Sequence, residues 1–136
     1  MANSHMRNLV CIAVLAACLL TTAVAFAHQV SVSGHLNRDG TLVQYSTWRT
    51  HTLAGPISMN LTNNTATHTR LGLRDRTGVQ FTHTLQWNSV PNSMNFSQLS
   101  NGSIIIPAGT RFAINGRMGA TTWPWDNFWA GTLSHN

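Results

Sequence analysis

Beyond residue 27, the side chains equipped for chemistry are six histidines (His28, His35, His51, His68, His83 and His135) and three aspartates (Asp39, Asp75 and Asp126). The chain has no lysine and no glutamate, which removes Schiff-base chemistry and glutamate acid–base pairs. Three dispersed carboxylates do not supply the close pair that retaining glycoside hydrolysis needs. No serine sits in a G-x-S-x-G elbow, and no HExxH or H-x-H spacing gathers the histidines. Both cysteines, Cys11 and Cys18, fall in the first 27 residues, so residues 28–136 have no means of disulfide bonding, thiolate catalysis or cysteine ligation of a metal. This inventory favours a binding protein over an enzyme.

His28 stands apart from the other histidines because of what precedes it. Arg7, an apolar run over residues 9–24 and the small-residue site Ala25-Phe26-Ala27 read as a secretory signal peptide over residues 1–27, with Met6 an alternative start. Leu15-Ala16-Ala17-Cys18 resembles a lipoprotein box. Cleavage there would leave the apolar residues 19–27 on the mature end, so export without lipid is the better reading. A cut after Ala27 makes His28 the first mature residue, and its free amino group and imidazole together chelate copper in a tetragonal site. In this the processing site resembles that of CopC-type copper-binding proteins and lytic polysaccharide monooxygenases, which are also exported β-sandwiches. The resemblance implies copper at His28, with a second imidazole coming from His83, His51 or His35 across the sheet. His83 also reads as a core histidine bonded to a backbone carbonyl, because its strand places it among apolar residues.

The second candidate is aromatic. Trp123, Trp125 and Trp129 crowd into one stretch with Pro124, Asp126, Asn127 and Phe128. Pro124 interrupts any regular strand there. Exposed indoles in a loop make flat apolar platforms for sugar rings, with Asp126 and Asn127 as polar contacts and Tyr45 or Trp48 as neighbours. Buried, the same indoles would plug one end of the fold, and composition does not choose between the two.

The elements that must position these residues are strands. Leu71 and Leu73 alternate with Arg70, Gly72 and Arg74; after the turn at residues 75–78, Val79, Phe81, His83, Leu85 and Trp87 share a face. That pattern predicts an antiparallel hairpin with one face buried. Alternation also predicts strands over residues 29–36, 41–49, 57–62, 103–106, 111–115 and 128–133. Turns are expected at Asp39-Gly40, Asn63-Asn64-Thr65, Asn101-Gly102 and Asn115-Gly116. About eight short strands with no amphipathic helix imply an all-β fold, a single antiparallel β-sandwich of immunoglobulin-like or jelly-roll type over residues 28–136.

The charge is a formal +5 carried by arginine alone. Arg70, Arg74 and Arg76 are the only grouping, too sparse for a nucleic-acid footprint, and they are expected to guard a solvated edge. Arginine-only usage suits a bacterial, GC-rich source. No transmembrane segment is expected in the mature chain. The expected function is therefore a secreted or periplasmic, non-enzymatic binding or surface-interaction protein. Its ligand would be a glycan or cell-envelope polymer held by the tryptophan-rich loop. The alternatives are an exported copper-binding protein using His28, and a structural protein that associates with itself.

Overall fold

The computed structural model describes residues 27–65, 68–119 and 127–136. All of the expected signal peptide but Ala27 therefore lies outside the described residues, as do Trp123, Trp125 and Asp126. The described chain is all β, without a helix: β1 His28–His35, β2 Val43–Gln44, β3 Arg49–His51, β4 Ser58–Asn64, β5 Thr69–Arg74, β6 Leu85–Trp87, β7 Asn92–Asn95, β8 Thr110–Met118 and β9 Phe128–His135. Among these residues no helix is long and apolar enough to cross a membrane.

All strand pairings are antiparallel. One sheet runs β1-β9-β4-β7 and the other β2-β8-β5-β6, with β3 also pairing β8. Alternation dictates the interface between them. Val32, Met59, Leu61, Trp129 and Leu133 come from the first sheet, and Leu71, Leu73, Trp87, Phe112 and Ile114 from the second; they meet in one buried cluster. Burying aliphatic and aromatic side chains of this size supplies the main drive to fold. The buried Trp87 satisfies its polar edge as well, donating from Nε1 to the Asn92 carbonyl at 2.9 Å.

Several expectations differ from what is observed: Asn63 and Asn64 lie inside β4 and not in a turn, and residues 41–49 give only Val43–Gln44 as a strand before β3 begins at Arg49. The returning arm of the 71–87 hairpin pairs with β5 only over Leu85–Trp87 and at an isolated Gln80–Arg74 bridge. Between them the chain swings away: the His83 N–H donates to the Ser97 carbonyl at 2.8 Å, and Leu99 N–H to Phe81 at 2.9 Å. The detour shifts the alternation, so Thr82 is buried and His83 is exposed, not seated among apolar residues. Residues 103–106 form no regular strand. Ile104 and Ile105 are exposed and only Ile106 enters the core, where it exchanges backbone hydrogen bonds with Gly55. Asn115-Gly116 is not a turn but the interior of β8. A Cβ on Gly116 would meet Leu71 and Leu36 side chains at 2.8 and 2.9 Å, so tertiary crowding accounts for this glycine.

Candidate functional site

Of the tryptophan-rich stretch, Asn127, Phe128 and Trp129 are described. Trp129 lies on the inward face of β9 at 1% exposure. Its Nε1 donates to the Tyr45 hydroxyl at 2.8 Å, and the two rings meet edge to face at 5.5 Å. The Tyr45 hydroxyl in turn donates to the His35 carbonyl at 2.8 Å. Burial pushes the Tyr45 phenol above its usual range, against the opposing pull of the indole hydrogen bond. Trp129 and Tyr45 form the back of a cleft of about 210 Å³ at the β1 edge, rimmed by Ser31, Ser33, Thr47 and Arg49. Asn127 donates from Nδ2 to the Leu36 carbonyl and lies 3.4 Å from the His35 ring, tying the start of β9 to the end of β1.

The histidines separate into two groups. His83 belongs with the β6 and β7 edges, whereas His28 begins β1 at the opposite edge of the first sheet. What stands against His28 is instead His135, its register partner on β9, with ring centroids 5.5 Å apart. Phe112 meets the same His135 ring edge-on, also at 5.5 Å. Burial holds the His135 pKa below its usual value, assisted by the charges of His28, His51 and Arg49 and opposed by a hydrogen bond with Asn136. His51 is fully committed: its Nδ1 accepts from the Asn136 N–H at 3.2 Å, so its Nε2 carries the proton donated to the Gly55 carbonyl at 3.1 Å. Among the described residues no three His, Cys, Asp or Glu side chains are gathered to hold a metal.

The most chemically loaded surface lies elsewhere, on the outer face of the second sheet. Alternation turns Arg70, Gly72 and Arg74 of β5 and Arg111, Ala113, Asn115 and Arg117 of β8 away from the core. Register sets Arg70 opposite Arg117 and Gly72 opposite Asn115. The arginines of β5 are thus on an interior strand and do not guard an edge as expected. Arg74 is 8% exposed, donates to the Tyr45 carbonyl at 2.8 Å and lies 4.6 Å from the Trp48 ring centre. Trp48 also covers Arg111 at 5.7 Å, a cation–π stack along one side of the face. Beside it is a concavity of about 230 Å³ lined by Leu42, Arg70, Gly72, Gln80, Thr84, Asn115, Gly116 and Arg117, with no carboxylate.

Its polar groups are held in fixed orientations. Gln80 Nε2 donates to the Thr82 carbonyl at 2.7 Å and to the Thr84 hydroxyl at 3.0 Å. That leaves Gln80 Oε1 to accept from Asn115 Nδ2 at 3.0 Å. Arg70 Nε donates to Gln86 Oε1 at 2.6 Å. Sequence reading missed Asn115, Gln80 and Arg117. The available signal was the outward parity of residues 111, 113, 115 and 117, masked by the hairpin-like Asn-Gly pair. Comparison with protein-family models, with curated proteins and with solved structures finds no match.

Proposed function

We propose that this chain is an exported, non-enzymatic binding protein whose ligand is a glycan or cell-envelope polymer, held on the outer face of the five-stranded sheet. The observation that carries the reading is the concavity over Gly72, where two opposed arginines and two oriented amides converge with no carboxylate to neutralise them. Few precisely placed polar groups in a concave surface are the usual marks of a ligand site. The strand order also supports a jelly-roll over an immunoglobulin-like reading: β1-β9-β4-β7 against β2-β8-β5-β6 is the order of two interleaved Greek keys. Lectin domains use that architecture, an analogy of fold alone. Trp48 lies on the same face and serves as a built-in reporter.

The test is retention of the protein on a panel of insoluble polysaccharides and cell walls, paired with Trp fluorescence against soluble fragments. Retention on at least one polymer, lost in an Arg70→Gln/Arg117→Gln double variant, is the expected result. A protein retained on none of them sinks the reading.

One observation favours the copper alternative: His135 stands where a second imidazole is needed. Metal–nitrogen bonds of about 2.0–2.1 Å allow two imidazoles sharing one ion to have ring centres up to roughly 6.4 Å apart. The 5.5 Å between His28 and His135 fits that span. Burial also favours His135 as the neutral ligand form. Copper titration followed by electron spin resonance, with intact mass to fix the first residue, decides it. A mature chain beginning at Gln29, or an unaltered copper signal in His135→Ala, ends this alternative.

A further inference from the structure

We infer that the concavity over Gly72 selects a hydroxylated anion, the chemistry shared by a uronate residue and a polyol-phosphate unit. The inference rests on the polymer-binding reading above and narrows it to a ligand class.

The anionic half of the ligand follows from charge. Arg70 and Arg117 are directly opposed across β5 and β8, an arrangement of like charges that destabilises a sheet. No carboxylate lines the concavity to offset them. The hydrogen bond from Arg70 Nε to Gln86 steadies that guanidinium, leaving its Nη atoms for a planar or tetrahedral anion.

The hydroxyl half follows from the orientation of one amide. Because Gln80 spends its Nε2 on Thr82 and Thr84, it can only accept from Asn115, which fixes the Asn115 Nδ2 toward it. The other end of the amide, Oδ1, is then a buried acceptor that takes no hydrogen bond from any described residue, on a side chain only 2% exposed. Buried acceptors are seldom left so, and such a group calls for a donor from outside the protein chain, which a ligand hydroxyl can supply. Asn115 lines the concavity, and Gly72 lets the two amides sit as they do: a Cβ there would lie 2.8 Å from Asn115 Oδ1 and 2.7 Å from Gln80 Oε1, too close to be placed without moving them. Guanidinium forks ask for negative charge, whereas Asn115 Oδ1 asks for an O–H or N–H. A neutral sugar answers only the second demand, and a sulfate dianion, which has no O–H, only the first. The volume, about 230 Å³, lies below the roughly 300 Å³ at which drug-sized pockets begin, so a single monomer unit is accommodated.

Calorimetric titration at low salt tests this with four probes: glucuronate, glycerol 3-phosphate, glucose and inorganic sulfate. Glucuronate or glycerol 3-phosphate is expected to bind at least tenfold more tightly than both glucose and inorganic sulfate, and the tighter of the two identifies the anion source. That binding should weaken as salt rises. It should also fall at least tenfold in Arg117→Gln, an exposed position, and in Gly72→Ala, whose methyl would displace the Gln80 and Asn115 amides. Glucose binding as tightly as glucuronate overturns the inference but leaves the polymer-binding reading standing. Inorganic sulfate binding as tightly makes the site a simple anion site and overturns it too. So does the absence of binding by all four probes while a polymer is still retained, or affinity unchanged in both variants.

Discussion

Arg117 and Arg70 show how a residue can be placed against the interest of stability. Both project from adjacent strands onto the same face, paired in register, and no aspartate or glutamate lines the pocket between them. Opposed like charges on a sheet cost about 0.2–1 kcal/mol. Arg117→Gln is therefore expected to raise the melting temperature slightly in low salt, with the gain shrinking as salt screens the pair. Thermal melts of both proteins across a salt series check this. A gain that does not depend on salt would assign the effect to something other than repulsion. The buried Asn115 acceptor belongs to the same class of local cost. At Trp129 the reverse holds, because its one polar atom is satisfied by Tyr45 and its ring fills the core.

At the level of elements, β8 and β9 carry the fold together with β4 and β5, because each of the four is paired on both sides. In β9 the chain crosses a register shift between Leu61 and Asn63 of β4, and Gly131 lies beside it. A Cβ on Gly131 would drive into the Asn60 carbonyl and the backbone of Leu61, neither of which can step aside as a flexible side chain would. Gly131→Ala is expected to destabilise by about 1–3 kcal/mol, the usual range for overpacking a tight interior. Urea unfolding measures it, and a midpoint equal to that of the parent protein would show that the bulge yields. The strands were legible wherever alternation ran cleanly, as at Met59 and Leu61 or at Leu71 and Leu73. They were not legible at Thr82 and His83, where a detour toward Ser97 displaces the period, a long-range hydrogen-bonding choice that local pattern does not encode. Asn115 was lost for a related reason, since Asn-Gly reads as a turn until a neighbouring strand claims it.

Considered as a whole, the molecule closes one end with His28, His51, His135 and Phe112, and caps its loops with Asp39 and Asp75. Three of them, His135, Asp39 and Asp75, set two pH windows. His135 has its folded pKa lowered below 6.5 by burial, so its contribution to stability is present above that value and is lost as pH falls through the window beneath it. Hydrogen bonds from Thr41 and Thr77 hold the Asp39 and Asp75 carboxyls below their ordinary 3.8, so their contribution is lost only at more acidic pH. Melting temperature is expected to fall between pH 7.5 and 5, and to fall less in His135→Gln. Equal falls in the two proteins would remove His135 as the cause.

Composition and alternation by themselves determined that the described part of this chain is all β and that it holds together without disulfides. They also determined that its charge is arginine without lysine or glutamate. These properties are local or additive, so they can be read one residue after another. Only the tertiary structure decided which residues share a surface. It set Asn115, Gln80 and Arg117 around Gly72, paired His28 with His135 and turned Trp129 inward. The physical reason is register: residues far apart in sequence become neighbours only once each strand has chosen its partner, and that choice is made by the packing of the two sheets together.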